Sequence, residues 1–100
     1  MASKFQNKII KEYKELGYTV IKIIKFSENG YPDLLCIKKD TVDTWIECKE
    51  KNDTLKTLQA FRIDELNKLG KLAFCLQDGK GIIYPNNNIT NNGKNEIDPF

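Results

Sequence analysis

An α/β domain, a mixed β-sheet with helices on its faces, is what this sequence predicts. Three observations point there. Two amphipathic segments, residues 3–16 and 54–69, each run up to a glycine. Five short apolar or β-branched runs accompany them, in the order helix, three strands, helix, two strands. The third strand, the second helix and the fourth strand read as a parallel, right-handed crossover.

The first helix is "SKFQNKIIKEYKEL". Phe5, Ile9, Tyr13 and Leu16 recur at three- and four-residue spacing, Ser3 caps the start and Gly17 stops it. Lys4, Lys8, Lys11 and Lys14 fall on the opposite side. Such a stripe reads first as a solvated face and only second as a phosphate-facing surface. Residues 18–26, "YTVIKIIKF", read as the first strand, and Asn29-Gly30 then forms the strongest turn signal. Residues 33–38 and 42–49 are two more strands, joined as an antiparallel hairpin through the turn "KDT". The second helix is capped by Asp53 or Thr54. Leu55, Leu58, Phe61, Ile63, Leu66 and Leu69 supply its apolar positions, and Gly70 ends it. "KLAFCLQ" and "GIIYP" are the last strands, separated by "DGKG". From residue 85 the composition turns polar and Asn-rich. The expected division is a domain over residues 1–84 and a tail over 85–100.

A chain of 100 residues suits one small domain, and 40% hydrophobic with 30% charged residues is ordinary for a globular protein. No run approaches the roughly 18 apolar residues of a membrane span. "MASKFQNKII" lacks the apolar core of a signal peptide, so a cytosolic location is expected. The net charge of +2 does not by itself indicate nucleic acid; only the placement of charge matters. The chain has no histidine and no CxxC pair, which excludes zinc fingers, histidine triads and histidine metal sites. Cys36, Cys48 and Cys75 lie in apolar runs and read as reduced thiols packed as small hydrophobes.

The chemistry concentrates in "PDLLCIK" and "DTWIECK". Strand residues alternate faces, so Glu47 and Lys49 share one face and Cys48 points to the other. In an antiparallel hairpin the start of one strand lies beside the end of the next, which brings Asp33 to the same place. Two carboxylates with a nearby main-chain carbonyl make an oxygen-only site for a hard divalent cation, Mg²⁺ or Mn²⁺. With an ammonium alongside, that set suits hydrolysis of a phosphodiester. The plain alternative is a solvated salt bridge. Tyr31-Pro32 favours the site, because it sets a rigid, extended entry to Asp33. So does the position of both charges beside buried residues, where an uncompensated charge is costly.

These residues resemble the PD-(D/E)xK nuclease superfamily: "GYPD", thirteen residues, then "ECK". More narrowly, residues 5–76 resemble the VRR-NUC nucleases. "FQNKII…LGY" is similar to that family's first helix, Gly30 precedes Pro32-Asp33 as in its G-x-P-D, and "TLQAFRIDELNKLG" is similar to its second helix. The resemblance implies a restriction-endonuclease-like core. Asp33, Glu47 and the main-chain carbonyl of Cys48 would be metal ligands, Lys49 the catalytic lysine, and Gln59 and Gln6 polar residues near the site. The chain departs from the family in its first helix. The family carries a glutamate one turn before the first glutamine, where Ala2 stands here. Archaeal Holliday-junction resolvases carry an acidic residue where Gln6 stands. Glu12 and Glu15 are the nearest substitutes, and Glu12 reads as a boundary residue that reaches water.

The expected activity is metal-dependent endonucleolytic cleavage of DNA, with four-way junctions or flaps implied as substrates by the resemblance. Lys22, Lys25, Lys38, Lys39, Lys51 and Lys56 are candidate phosphate contacts. A homodimer is expected, since two copies present two cuts across a branched substrate and Tyr18, Phe26, Tyr31 and Trp45 offer aromatic surface. The alternative is a non-catalytic nucleic-acid or protein-binding module on a nuclease-like fold. Site-specific cleavage of the restriction type is disfavoured by a single arginine, which limits readout of guanine.

Overall fold

The computed structural model describes residues 3–24 and 28–86. Lys25, Phe26, Ala2 and most of the Asn-rich tail lie outside them. Among the described residues the order is α1 (Lys4–Glu15), β1 (Thr19–Lys22), β2 (Leu34–Ile37), β3 (Thr44–Lys49), α2 (Thr57–Lys68), β4 (Leu72–Gln77) and β5 (Gly81–Tyr84). The strands form one mixed sheet in the order β1-β2-β3-β4-β5. All neighbours are antiparallel except β3 and β4, whose parallel pairing carries α2 as the crossover. The expected fold class is therefore the observed one.

Strand alternation divides the core into two layers. Leu34, Cys36, Ile46 and Phe74 point to one face, where Phe5 and Ile9 of α1 cover them. Ala73 and Cys75 point to the other, against Ile63 and Leu66 of α2, with Tyr31, Trp45 and Tyr84 packed alongside. Burial of these apolar groups is the main favourable term for so small a domain.

Both helices stop for the same reason. In α1, Gly17 N–H bonds Lys14 O and Tyr18 N–H bonds Tyr13 O; in α2, Gly70 N–H bonds Asn67 O and Lys71 N–H bonds Leu66 O. Gly17 and Gly70 have φ of 95° and 88°, the left-handed conformation that this double-bonded stop requires.

Three expectations are corrected. The first strand, expected over residues 18–26, is observed as Thr19–Lys22: regular pairing ends at Lys22↔Leu34, Ile23 and Ile24 are outside the strand, and residues 25–26 are outside the described residues. Beyond Leu34 its partner strand is preceded by Pro32, which has no N–H to offer. The second helix starts at Thr57, not residue 54, and its N-cap is Lys56 rather than Asp53 or Thr54. Gln59 Oε1 accepts the Lys56 N–H at 2.9 Å, while Asp53 accepts from Thr54 outside the helix. Finally, of the apolar positions expected for the second helix, only Ile63 and Leu66 are buried. Leu58, Phe61 and Leu69 are exposed, because the helix crosses β4 with one narrow face. Leu16 at the end of α1 is likewise exposed, as are the lysine stripe and Glu12. Among the described residues, no helix is long and apolar enough to cross a membrane.

Candidate active site

The hairpin register assembles the centre. The last β2–β3 pair is Leu34↔Ile46, so Asp33 falls beside Glu47 just past the end of regular pairing. There the ladder opens, and the Asp33 side chain takes the place of a strand partner. Its Oδ2 accepts the Cys48 N–H at 3.0 Å. Within a strand, the N–H and C=O of one residue point to the same side, so the Cys48 carbonyl also faces the Asp33 side rather than β4.

Glu47 and Lys49 stand on the α2 face of β3, and both are buried, at 3% and 5% exposure. Lys49 Nζ lies 3.5 Å from Glu47 Oε2 and 3.7 Å from Asp53 Oδ2. Gln59 completes the cluster from α2: its Nε2 donates to Glu47 Oε2 at 3.3 Å. Because Gln59 Oε1 already holds the Lys56 N–H, the amide has one orientation, nitrogen toward the carboxylate. From the first helix, Gln6 approaches the Asp33 carboxyl and helps to favour its ionised form. The structure thus brings together Asp33, Glu47, Cys48, Lys49, Gln59 and Gln6. It does not bring Glu12 or Glu15, which are exposed farther along α1. Of the candidate phosphate contacts within the described residues, Lys22, Lys38, Lys39, Lys51 and Lys56 are all exposed.

Burial sets the electrostatics. Glu47 is raised from 4.5 to about 7, first by desolvation and then by Asp33, with Lys49 pulling the other way. Asp33 is also raised by burial, against the Cys48 N–H and Lys49. Burial pushes the Cys48, Cys75 and Cys36 thiols up, so none is a thiolate at neutral pH. Glu47 Oε1 is buried with no hydrogen-bond partner.

Two residues near the centre were not singled out from sequence as site residues. Asp53, read there as a helix cap, pairs with Lys49. Gln77 ends β4 in register with Lys49 and is buried at 5% exposure. Its signal was a polar residue at an inward position of an otherwise apolar strand, visible only once the parallel register is known.

The donor set fits a hard cation. It consists of two carboxylates and a main-chain carbonyl, with one carboxylate oxygen sealed from water and unpartnered. Among the described residues no three His, Cys, Asp or Glu side chains converge, and the candidate side-chain donors are Asp33 and Glu47.

No family model matches the chain, and no curated protein matches it. Solved structures do. One titled "VRR_NUC domain" is 26% identical with a TM-score of 0.64, over 72% of this chain and 78% of that one. Another, Hjc from Archaeoglobus fulgidus, a Holliday junction resolvase, is 15% identical with a TM-score of 0.58, over 76% of this chain and 67% of that one. The second likeness is one of fold; the first extends to sequence. With its G-x-P-D and E-C-K segments folded into one buried cluster on this sheet, the chain is similar in fold and sequence to the VRR-NUC domain and in fold to the resolvase.

Proposed function

We propose that the protein is a metal-dependent endonuclease that hydrolyses DNA phosphodiester bonds, selective for branched DNA such as four-way junctions or flaps. The observation that carries this reading is the Asp33–Glu47–Lys49 cluster, in which Glu47 Oε1 is buried with no donor of its own. Such an oxygen is costly to keep unless a ligand completes it. Asp33, Glu47 and the Cys48 carbonyl would hold Mg²⁺ or Mn²⁺, which when bound lowers the pKa of a coordinated water and offsets charge on the phosphate.

The chain's own groups do the rest. Gln59 Nε2 and Lys49 Nζ hold one face of the Glu47 carboxylate, leaving Oε1 turned away from both. The Cys48 N–H fixes Asp33 through Oδ2. Lys49 Nζ, a donor with no acceptor capacity, is suited to orient an attacking water or to contact a phosphate oxygen as charge develops. Gln6 of α1 approaches Asp33 and favours its ionised form. The substrate class draws support from the resolvase neighbour. A two-fold homodimer suits it, because two copies place two centres on one junction. Free cysteines at all three positions suit a cytosolic setting.

A cleavage panel of single-stranded, duplex, flap and four-way DNA with Mg²⁺ or Mn²⁺ tests the reading. Cation-dependent cutting of the branched substrates is expected, and no cutting of any substrate overturns it. The missing first-helix carboxylate favours one other reading, a binding module without catalysis. Calorimetric titration with Mn²⁺ separates the two: heat lost in Asp33→Ala supports the catalytic site, and no heat in the wild type supports the module.

A further inference from the structure

We infer that Gln77 is a positioning residue for Lys49, acting through the loop that follows β3. Lys49 and Gln77 are opposed in the parallel register and lie on the same face of the sheet, both 5% exposed. The chain leaves β3 at Lys49 and crosses residues 50–54, all of them exposed, before α2 begins. That loop has no buried side chain of its own to order it. Its carbonyls turn inward instead, and three converge on one atom: Gln77 Nε2 donates to Glu50 O at 2.8 Å, Lys51 O at 3.2 Å and Asp53 O at 2.7 Å. Three acceptors around one position require the nitrogen end of the amide there, since an oxygen would face three oxygens. The Asp78 N–H bond to Lys49 O at 2.9 Å ties the same two strand ends together.

The loop's other bonds are internal. Asp53 N–H donates to Glu50 O at 3.1 Å, and Asp53 Oδ1 accepts the Thr54 N–H at 2.8 Å. With the backbone held by Gln77 and Oδ1 held by Thr54, Asp53 Oδ2 is left facing Lys49 Nζ at 3.7 Å. The ammonium is thereby set between a buried carboxylate, Glu47, and a surface one, Asp53. A flexible lysine stem is thus confined to one geometry, and confinement of a reacting group is a source of rate. A strand residue needed only for packing would be apolar here, because a buried amide is costly unless its bonds are made. Gln77 makes its bonds to the loop that carries the second anchor of Lys49.

The inference rests on the nuclease reading for its consequence, but its first test is independent of cleavage. The ¹³Cε relaxation order parameter of Lys49 reports its confinement. In the wild type it should be high relative to that of exposed Lys51. It should fall in Gln77→Met, which keeps length and removes the donors, and in Asp53→Asn. Equal mobility of Lys49 and Lys51 in the wild type overturns the inference without any variant. An unchanged Lys49 in a folded Gln77→Met protein also overturns it. In the cleavage assay, each single variant should lower kcat by ~10-fold with KM within about two-fold, and the double variant should be no worse than the weaker single one. Losses that multiply overturn the inference, because they show that Gln77 and Asp53 act independently. Ordered lysine with no cleavage by the wild type overturns the nuclease reading and leaves the positioning geometry standing.

Discussion

Glu47 Oε1 is a buried carboxylate oxygen without a protein donor, and its consequence is measurable. Protonation of Glu47 is favoured in the folded protein, up to about 7 from an ordinary 4.5. A carboxyl whose folded pKa is raised contributes its stability below the unfolded pKa and loses it as pH rises through the folded one. Without a divalent cation, Tm should therefore decline between about pH 5 and pH 8, by a contribution of at most about 3 kcal/mol. Asp33 is shifted in the same direction, from a lower starting value, and its contribution has the same sign. Glu47→Gln should flatten it, and a slope equal to the wild type would remove Glu47 as its source. Because a cation takes the ionised carboxylates, the Tm gain from Mn²⁺ should be larger at pH 8 than at pH 5.5. Asp33→Asn and Glu47→Gln should abolish cleavage and weaken cation binding with the fold intact, whereas full activity in either would displace the site. Lys49→Ala should keep cation affinity within a few-fold but lower turnover by ~10²-fold, read from single-turnover rates beside calorimetry. These residues were legible in the sequence because strand alternation and a short hairpin place them by local rules. Gln77 was not, since only the register of two strands separated by a helix sets it against Lys49.

At the scale of elements, the segment entering Asp33 is clamped to α2. Arg62 Nε donates to Asn29 O at 2.9 Å, and its guanidinium sits 4.7 Å from the Tyr31 ring centre. Gly30, at φ 88°, lies so close to α2 that an added Cβ would meet Leu58 Cγ at 2.7 Å. Gly30→Ala therefore combines a disfavoured backbone with a clash. It should lower stability by roughly 1–3 kcal/mol, or several degrees in Tm, and reduce cleavage by displacing Asp33. A melting curve matching the wild type would show that the loop has another resting place. The turn signal at Asn29-Gly30 was readable from sequence; the need for glycine was not, because it comes from a helix nearly thirty residues away. The start of α2 was misplaced for a related reason. Asp53 is a good cap by type, but it bonds Thr54 and pairs with Lys49, and the cap falls to Lys56 with Gln59 bridging back.

At the scale of the whole molecule, three of the four aromatic residues expected to drive dimerisation are spent internally, and Phe26 lies outside the described residues. Tyr18 packs on the α1 layer, and Tyr31 and Trp45 on the α2 layer. Uncovered apolar residues occur at several places on the described surface, and one pair of them lies on the face that carries the site. Ile21 is opposed to Leu35 and Thr19 to Ile37, which places Ile21 and Ile37 on the α2 face of β1 and β2, beyond the reach of α2 itself. They are 43% and 38% exposed. This strip adjoins Asp33 on the same face, so a second copy seated across it would bring two centres close to one substrate. Light scattering at micromolar concentration should give twice the 11.5 kDa of one chain. Ile21→Asp with Ile37→Asp, at positions outside both core layers, should return the single-chain mass with Tm within a few degrees. Paired nicking of a four-way junction should then become independent single nicking. A wild-type mass of one chain would exclude the dimer under those conditions, and a dimer that survives the double substitution would place its interface on another surface.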